Sequence, residues 1–116
     1  MIAAIFLANV LLASPIAVDG DTVRTTTDTY RVANIDAPET GGRARCASER
    51  ALGARASERV ATLLRTAERV VAVPVGRRDR YDRVVAYIVV DGRDLGEVLM
   101  AEGLARAWRG RREPWC

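Results

Sequence analysis

Residues 16–40 of the chain read IAVDGDTVRTTTDTYRVANIDAPET, and this stretch decides the fold. Two runs rich in β-branched residues, Ile16–Val18 and Thr22–Thr27, predict strands. The intervening Asp19-Gly20 pair is typical of a bend or bulge. After a short turn, Tyr30–Ile35 is expected to return as a third strand beside the second. The stretch therefore predicts three successive short strands at the start of an antiparallel sheet.

Downstream of this stretch the sequence predicts two helices and two further strands. Residues Cys46 to Arg65 are expected to form a long helix, because apolar side chains recur there at helical spacing. Strands are predicted over Arg69–Val75 and Arg83–Val90, and Asp94 is placed to cap a short helix that stops at Gly103. We therefore expect a mainly β protein with α (α+β): a five-stranded OB-fold barrel with an inserted long helix and a second short helix. A generic α+β sandwich is the alternative.

Composition excludes several kinds of chemistry. The 116-residue chain has no histidine, all 18 of its basic residues are arginine, and it has two cysteines. These absences exclude an imidazole base, a lysine Schiff base and a zinc site built from cysteine and histidine. Charge is also uneven, because an acidic first third precedes an arginine-rich middle. This pattern suits a cation held beside a polyanion, although a solvated arginine-rich surface is an equally simple interpretation.

The N-terminal segment carries no charged side chain before Asp19 and is strongly apolar over Ile2–Ala13. We interpret residues 1–13 as a signal peptide, which would make the protein secreted or periplasmic and leave residues 14–116 as a single domain. A membrane anchor fits less well, because Ser14 onward is needed for the first strand. A third interpretation is a buried strand of the fold itself.

Three carboxylates are candidates for metal chemistry. A two-residue turn at Asp28-Thr29 would place Asp21 directly opposite Asp36 on one face of the hairpin, where like charges destabilise a sheet. A bound cation would relieve that repulsion, and an oxygen site suits Ca²⁺ or Mg²⁺. Glu39 would then be the best available base for a water molecule. The alternatives are two exposed acids at a strand end and a surface glutamate in a turn.

Two arginines are candidates for binding phosphate. Arg31 lies on the strand that leads to Asp36, and Arg83 begins the strand after the charged loop. A guanidinium group presents parallel donors that match phosphate oxygens. Strict alternation places Arg31 and Asp36 on opposite faces, so they act together only if the strand bends. Most arginines of this chain are expected to be surface residues.

Five motifs, in order, resemble those of the thermonuclease family, the staphylococcal-nuclease-like domains. They are Val18-Asp19-Gly20-Asp21-Thr22-Val23, the run from Arg31 to Thr40, Asp79-Arg80-Tyr81-Asp82-Arg83, Ala86-Tyr87-Ile88 with the Asp91-Gly92 turn, and the helix Leu95–Ala105. The resemblance implies an OB-fold barrel and a calcium-dependent nuclease that hydrolyses phosphodiester bonds of DNA and RNA. It further implies cleavage of the P–O5′ bond, which leaves 3′-phosphates.

The resemblance also assigns the cation site. Asp21 and Asp36 match the family's metal-binding aspartates, with Ca²⁺ expected and another divalent cation as an alternative. Ala37 stands where the family uses a backbone carbonyl as a ligand, often on threonine. Asp19 matches an acid that lies near the metal without binding it directly.

The remaining assignments concern catalysis and substrate. Glu39 matches the glutamate that activates or orients the attacking water, and Arg31 and Arg83 match the arginines that bind the phosphate. Arg80 and Tyr81 match positions that contact the substrate. The implied partner is nucleic acid, with single-stranded DNA or RNA favoured, no stable protein partner and a monomeric state.

The chain departs from the family pattern in three ways. Asp82 replaces a common glycine beside Arg83, the third C-terminal helix of longer members is missing, and no tyrosine stands near residue 109. Trp108 or Trp115 would replace that tyrosine as a stacking platform, or would pack as core or lid. The alternative functions are a catalytically silent OB-fold module that binds nucleic acid or protein, and a small secreted binding scaffold.

The two cysteines stand far apart in the chain. Cys46 precedes the long helix and Cys116 is at the other end of the domain. In an exported protein a disulfide between them would tie the tail to the helix and stabilise the fold by about 4 kcal/mol on the chain-entropy model. The alternative is two free thiols.

Overall fold

The computed structural model describes residues 9–116 of the chain. Within that range five strands are longer than two residues and four are two-residue strands. The strands are β1 (Val10–Leu11), β2 (Ile16–Asp19), β3 (Thr22–Arg24), β4 (Thr29–Val32), β5 (Ile35–Asp36), β6 (Val70–Arg78), β7 (Val84–Val90), β8 (Arg93–Asp94) and β9 (Arg106–Ala107). The helices are α1 (Ala47–Thr66) and α2 (Leu95–Ala101).

The strands form one curled mixed sheet and one small ladder. The main sheet has the order β1-β6-β7-β4-β3-β2, with β8 paired to β7, and β5 pairs with β9 separately. Neighbouring strands are antiparallel except for β4 and β7, which run parallel. The five longer strands are those of the predicted OB-fold architecture, and the fold class is confirmed. The four two-residue strands extend it at turns and at the tail.

Local sequence signals explain both helices. The apolar stripe of α1 buries Ala56, Val60, Leu63 and Leu64, and the helix packs against β2. Asp94 caps α2 as predicted, because its Oδ1 accepts a hydrogen bond from the backbone N–H of Glu97 at 2.9 Å. Both helices contribute to one core that also contains the inward faces of β3, β4, β6 and β7.

Two strands end three residues away from the expected positions, and the strand predicted over Tyr30–Ile35 is interrupted after Val32. The strand predicted to reach Thr27 ends at Arg24, because the threonine run forms the turn instead. The strand predicted to end near Val75 continues to Arg78, with an irregular register after Pro74. The bend or bulge predicted at Asp19-Gly20 is present as a turn at residues 20 and 21, and a register shift between Ala17 and Asp19 precedes it.

The N-terminal segment is described only from residue 9. The predicted signal peptide at residues 1–13 lies largely outside the described residues. Val10–Leu11 pairs with β6 as an exposed edge strand, and Leu12 is buried in the core. No helix within residues 9–116 is long and apolar enough to cross a membrane.

A disulfide joins the tail to the start of α1. Cys46 and Cys116 are bonded across a sequence separation of 70 residues. The predicted pairing is therefore confirmed, and the alternative of two free thiols is wrong. The bond holds the segment after β9, which we call the tail segment (residues 108–116), against the edge of the molecule that carries Asp36 and Glu39.

Candidate active site

A close approach of three backbone segments builds the floor of the candidate site. A Cβ atom added to Gly20 would lie 2.8 Å from the Ala37 Cβ and 2.9 Å from the Ala56 Cβ of α1. Because Gly20 has no side chain, the turn after β2 can lie directly against Ala37 and Ala56. This contact brings the buried Asp21 side chain to the segment after β5, where the backbone N–H of Ala37 donates to its Oδ2 at 3.3 Å.

The hairpin register predicted from the sequence is wrong by four residues, because the turn is centred two residues earlier than expected. The pairs are Thr22 with Arg31 and Val23 with Tyr30, so Asp21 does not lie opposite Asp36. The turn is centred earlier because the Thr25 hydroxyl accepts the backbone N–H groups of residues 27 and 28, each at 3.2 Å. Asp21 instead reaches the Asp36–Ala37 segment because the chain turns sharply between β4 and β5.

The same turn explains how Arg31 joins the site. Residues 33 and 34 interrupt the strand, so the alternation that would oppose Arg31 to Asp36 is broken. The Arg31 guanidinium donates to the backbone carbonyl of Ile35 at 2.8 Å and lies 3.7 Å from Asp21 Oδ2. It also lies 5.2 Å from the centre of the Trp108 ring. Arg31 is thus fixed beside the carboxylates by three neighbouring groups from three segments.

Arg83 approaches the carboxylates from the opposite side. Its Nε donates to Asp79 Oδ2 at 2.7 Å, and its Nη1 donates to the Thr22 hydroxyl at 3.2 Å. That hydroxyl in turn donates to Asp21 Oδ1 at 3.1 Å. Burial opposes ionisation of Asp79, but hydrogen bonds from Arg83 outweigh it and lower the pKa of Asp79. Asp79 therefore remains the charged partner that orients Arg83, and sequence reasoning did not identify it.

The other predicted substrate residues lie farther out. Tyr81 is 64% exposed, and the guanidinium groups of Arg80 and Arg83 lie 5.0 and 5.3 Å from its ring centre. Asp82 contacts Arg78 at 3.8 Å, and Arg83 takes Asp79 as its carboxylate partner. An open cleft lies beside this loop and is lined by residues 24–29, Arg78 and residues 81–83.

Glu39 is held by its backbone as well as by its side chain. Gly53 of α1 packs so closely on the carbonyls of Pro38 and Glu39 that a Cβ atom there would overlap them. Glu49, also on α1 and buried, accepts the backbone N–H of Glu39 at 3.0 Å and that of Arg45 at 2.8 Å. These hydrogen bonds, first the one from Arg45, lower the pKa of Glu49. Glu49 therefore fixes the loop that presents Glu39, a role that no sequence signal indicates.

We expect Glu49→Gln to lower the free energy of unfolding by about 2 kcal/mol at pH 7, because hydrogen bonds to a charged acceptor become bonds to a neutral one. A lowered folded-state pKa stabilises the fold above the unfolded pKa and loses that effect as pH falls through the folded value. Urea unfolding at pH 7 and pH 3 should therefore show a difference that disappears in acid. Glu58→Gln, exposed on the same helix, is the control, and an equal loss at both pH values would contradict the charge argument.

Negative charge is crowded at the floor of the site. Burial and the neighbouring Asp21 carboxylate raise the pKa of Asp19 to about 7. Asp36 is 2% exposed, and its Oδ1 has no hydrogen-bond partner within residues 9–116. Desolvated carboxylates of this kind are stabilised by nearby positive charge, which either a guanidinium group or a metal cation can supply. The donor set of two aspartates and a backbone carbonyl therefore fits a hard cation such as Ca²⁺.

That donor set is incomplete without water. Within residues 9–116 no three carboxylate or thiol side chains converge as a ready-made metal site. A cation here would bind the Asp21 and Asp36 carboxylates and the Ala37 carbonyl, and water would complete its shell.

Two arginines of the C-terminal region reach the same carboxylates, and sequence reasoning missed both. Arg112 Nη1 donates to Glu39 Oε1 at 2.6 Å, and its Nη2 lies 3.6 Å from Asp36 Oδ1 and 3.5 Å from the Ala37 carbonyl. Arg106 on β9 lies 3.5 Å from Asp36 Oδ2. It also donates to the carbonyls of Glu113 and Pro114 and stacks on Trp115 at 3.9 Å.

The structure thus brings the main candidates together. The group consists of Asp19, Asp21, Arg31, Asp36, Ala37, Glu39 and Arg83. Arg80 and Tyr81 adjoin it through Arg83. Chemically, the arrangement combines carboxylate and carbonyl oxygens of the kind that bind hard cations with two guanidinium groups, and both kinds of group suit phosphoryl transfer to water.

Comparisons with known proteins agree with this chemistry. Residues 29–114 match the protein family described as Staphylococcal nuclease homologue. The chain is 41% identical over 95 residues to the SPbeta prophage-derived endonuclease YokF of Bacillus subtilis (strain 168), covering 78% of this chain and 31% of that protein. It is 38% identical over 105 residues to Endonuclease YncB of the same organism, covering 86% of this chain and 48% of the relative. The chain therefore spans less than half the length of each.

Proposed function

The chain belongs to the family of staphylococcal nuclease homologues, and from that premise we propose that it is a calcium-dependent nuclease. It hydrolyses phosphodiester bonds of DNA and RNA, breaking the P–O5′ bond and leaving 3′-phosphates. The proposal is supported by two similar proteins that carry the name endonuclease. It is further supported by the proximity of Asp21, Arg31 and Arg83 in the candidate site.

The observation that carries the proposal is the convergence on Asp21. Its Oδ2 meets the Ala37 backbone N–H and lies near Arg31, while its Oδ1 is linked to Arg83 through Thr22. A cation site and two phosphate-binding groups therefore share one carboxylate. Such proximity allows a phosphate to contact the cation and both arginines at once.

Asp21, Asp36 and the Ala37 carbonyl would hold the divalent cation. When bound, Ca²⁺ supplies positive charge next to the phosphate and lowers the cost of the negative charge that develops there. Asp19 stays outside this ligand set. Its Oδ1 instead accepts the backbone N–H of Asp21 at 3.2 Å and fixes that residue's loop.

The chain's own residues perform the proton and phosphate steps. Glu39 takes a proton from the attacking water, whose oxygen forms a bond to phosphorus as the bond to O5′ breaks. The leaving O5′ alkoxide takes a proton from solvent. Arg31 and Arg83 donate to the non-bridging oxygens, since the contacts of Arg83 with Asp79 and Thr22 use only Nε and Nη1.

We further propose that single strands are the favoured substrate. Exposed Tyr81 and half-buried Trp108 lie beside Arg83 and Arg31, respectively. Aromatic faces next to phosphate-binding arginines suit splayed bases, which a duplex keeps stacked. Export to an oxidising compartment and a monomeric state belong to the same proposal, and the Cys46–Cys116 disulfide supports export.

The function is tested by incubating the purified full chain with single-stranded and double-stranded DNA and with RNA. We expect cleavage with Ca²⁺ and none with a chelator, faster cleavage of single strands, and 3′-phosphate ends by end-group analysis. Binding of nucleic acid without cleavage under all these conditions would instead establish a catalytically silent OB-fold module.

We expect Asp21→Asn to weaken Ca²⁺ binding about tenfold or more, because it removes one of the two charged ligands. Calorimetric titration of Ca²⁺ into the cation-free protein measures the effect. Asp82→Asn provides the matched control, since the Asp82 side chain is 88% exposed and its ion-pair partner is Arg78 at the end of β6. An equal Ca²⁺ affinity in the Asp21 variant and the control would remove Asp21 from the ligand set.

A further inference from the structure

The tail segment places a positive charge inside the candidate cation site. Arg112 Nη1 binds Glu39 at 2.6 Å, and Nη2 lies 3.6 Å from Asp36 Oδ1 and 3.5 Å from the Ala37 carbonyl. Asp36 and Ala37 are the proposed cation ligands, and Glu39 is the proposed base. One guanidinium therefore contacts groups that serve both the cation and the water.

We propose that Arg112 is an internal counter-ion that closes the cation site and must be displaced when a divalent cation binds. The inference rests on the proposed function, because it takes the cation to bind Asp36 and Ala37. A cation at oxygen-ligand distances of about 2.3–2.6 Å would occupy the space between those oxygens and the guanidinium. Two positive charges repel at that separation, so occupancy by one excludes the other.

The structure keeps the tail segment near the site and also lets the Arg112 side chain leave it. The Cys46–Cys116 disulfide and the Arg106 contacts with the carbonyls of residues 113 and 114 keep the tail segment near the site. A tethered group competes at a high effective concentration. The Arg112 side chain is nevertheless 46% exposed. It can therefore rotate into solvent without breaking the disulfide or opening the core.

Coupling between the two cations is reciprocal. Arg112 lowers the affinity of the site for the divalent cation, and the divalent cation lowers the occupancy of Arg112. Displaced Arg112 leaves Glu39 free to accept a proton. Binding of the divalent cation would thus fill the site and free the Glu39 carboxylate in one step.

The experiment is a calorimetric titration of Ca²⁺ into the cation-free full chain, its Arg112→Gln and Arg112→Lys variants, and Arg111→Gln. Arg111 is an exposed arginine of the same segment. Its replacement by glutamine changes the net charge by the same amount as Arg112→Gln. We expect Arg112→Gln to lower the dissociation constant about tenfold relative to Arg111→Gln. Arg112→Lys, which keeps the charge but loses the planar fork, should fall between.

A second measurement needs no variant. The Arg112 guanidinium protons, followed by NMR, should exchange with solvent faster when Ca²⁺ is added to the wild-type chain, and unchanged exchange would overturn the inference. Equal Ca²⁺ affinity in the Arg112→Gln and Arg111→Gln proteins would overturn the inference and leave the nuclease proposal standing. Weaker Ca²⁺ binding in Arg112→Gln would overturn it as well. Absence of Ca²⁺ binding in every protein would overturn both.

Discussion

Glu39→Gln is expected to lower the turnover number by about 100-fold to 10,000-fold, the usual contribution of a general base. The amide keeps the shape of the carboxylate but cannot take a proton from water. The loop remains in place because its anchors are the backbone contacts with Glu49 and Gly53, which the substitution leaves intact. The loss should therefore lie in the chemical step.

Single-turnover cleavage of a short single-stranded DNA measures this effect, with saturating Ca²⁺ and protein in excess. Ca²⁺ affinity, measured separately by calorimetry, should persist because Asp21, Asp36 and the Ala37 carbonyl are unchanged. Glu68→Gln, exposed and remote in sequence, is the matched control and should cleave at the wild-type rate. A Glu39 variant as fast as that control would assign the proton to another acceptor.

Short-range signals made most of the fold predictable. Three such signals depend only on residues close together in the sequence, and all three are present in the structure. They are the cap at Asp94, the bend at Asp19-Gly20 and the apolar stripe of α1. The hairpin register was not predictable in the same way. It depends on the Thr25 hydroxyl, which accepts the backbone N–H groups of residues 27 and 28 and so fixes the position of the turn within the threonine run.

In the candidate site, too, some residues could be predicted from the sequence and others could not. Its acids and arginines lie in motifs that the family resemblance identified. Strand spacing alone also predicted that Asp21 lies near Asp36, but it did so from a hairpin register that is wrong. Glu49 and Arg112 were missed because their roles depend on tertiary contacts. Arg112 meets Glu39 across 73 positions of sequence, and only the return of the tail segment brings them together.

Replacing both Cys46 and Cys116 with serine is expected to lower the free energy of unfolding by about 4 kcal/mol, given the separation of 70 residues. The reason lies mainly in the unfolded chain, which gains freedom when the large loop is opened. Typical domains have only about 5–15 kcal/mol of stability in total. The melting temperature should therefore fall by about 15 °C or more.

Urea unfolding of the wild-type and double-serine proteins measures this difference, with and without a thiol reductant. Reductant should destabilise the wild-type chain toward the value of the variant and should leave the variant unchanged. The Arg106 contacts with the tail segment remain in the variant, so the folded state should keep most of its structure. A loss below about 1 kcal/mol would mean that the unfolded chain is already compact, because the entropic effect of the cross-link requires an open unfolded state.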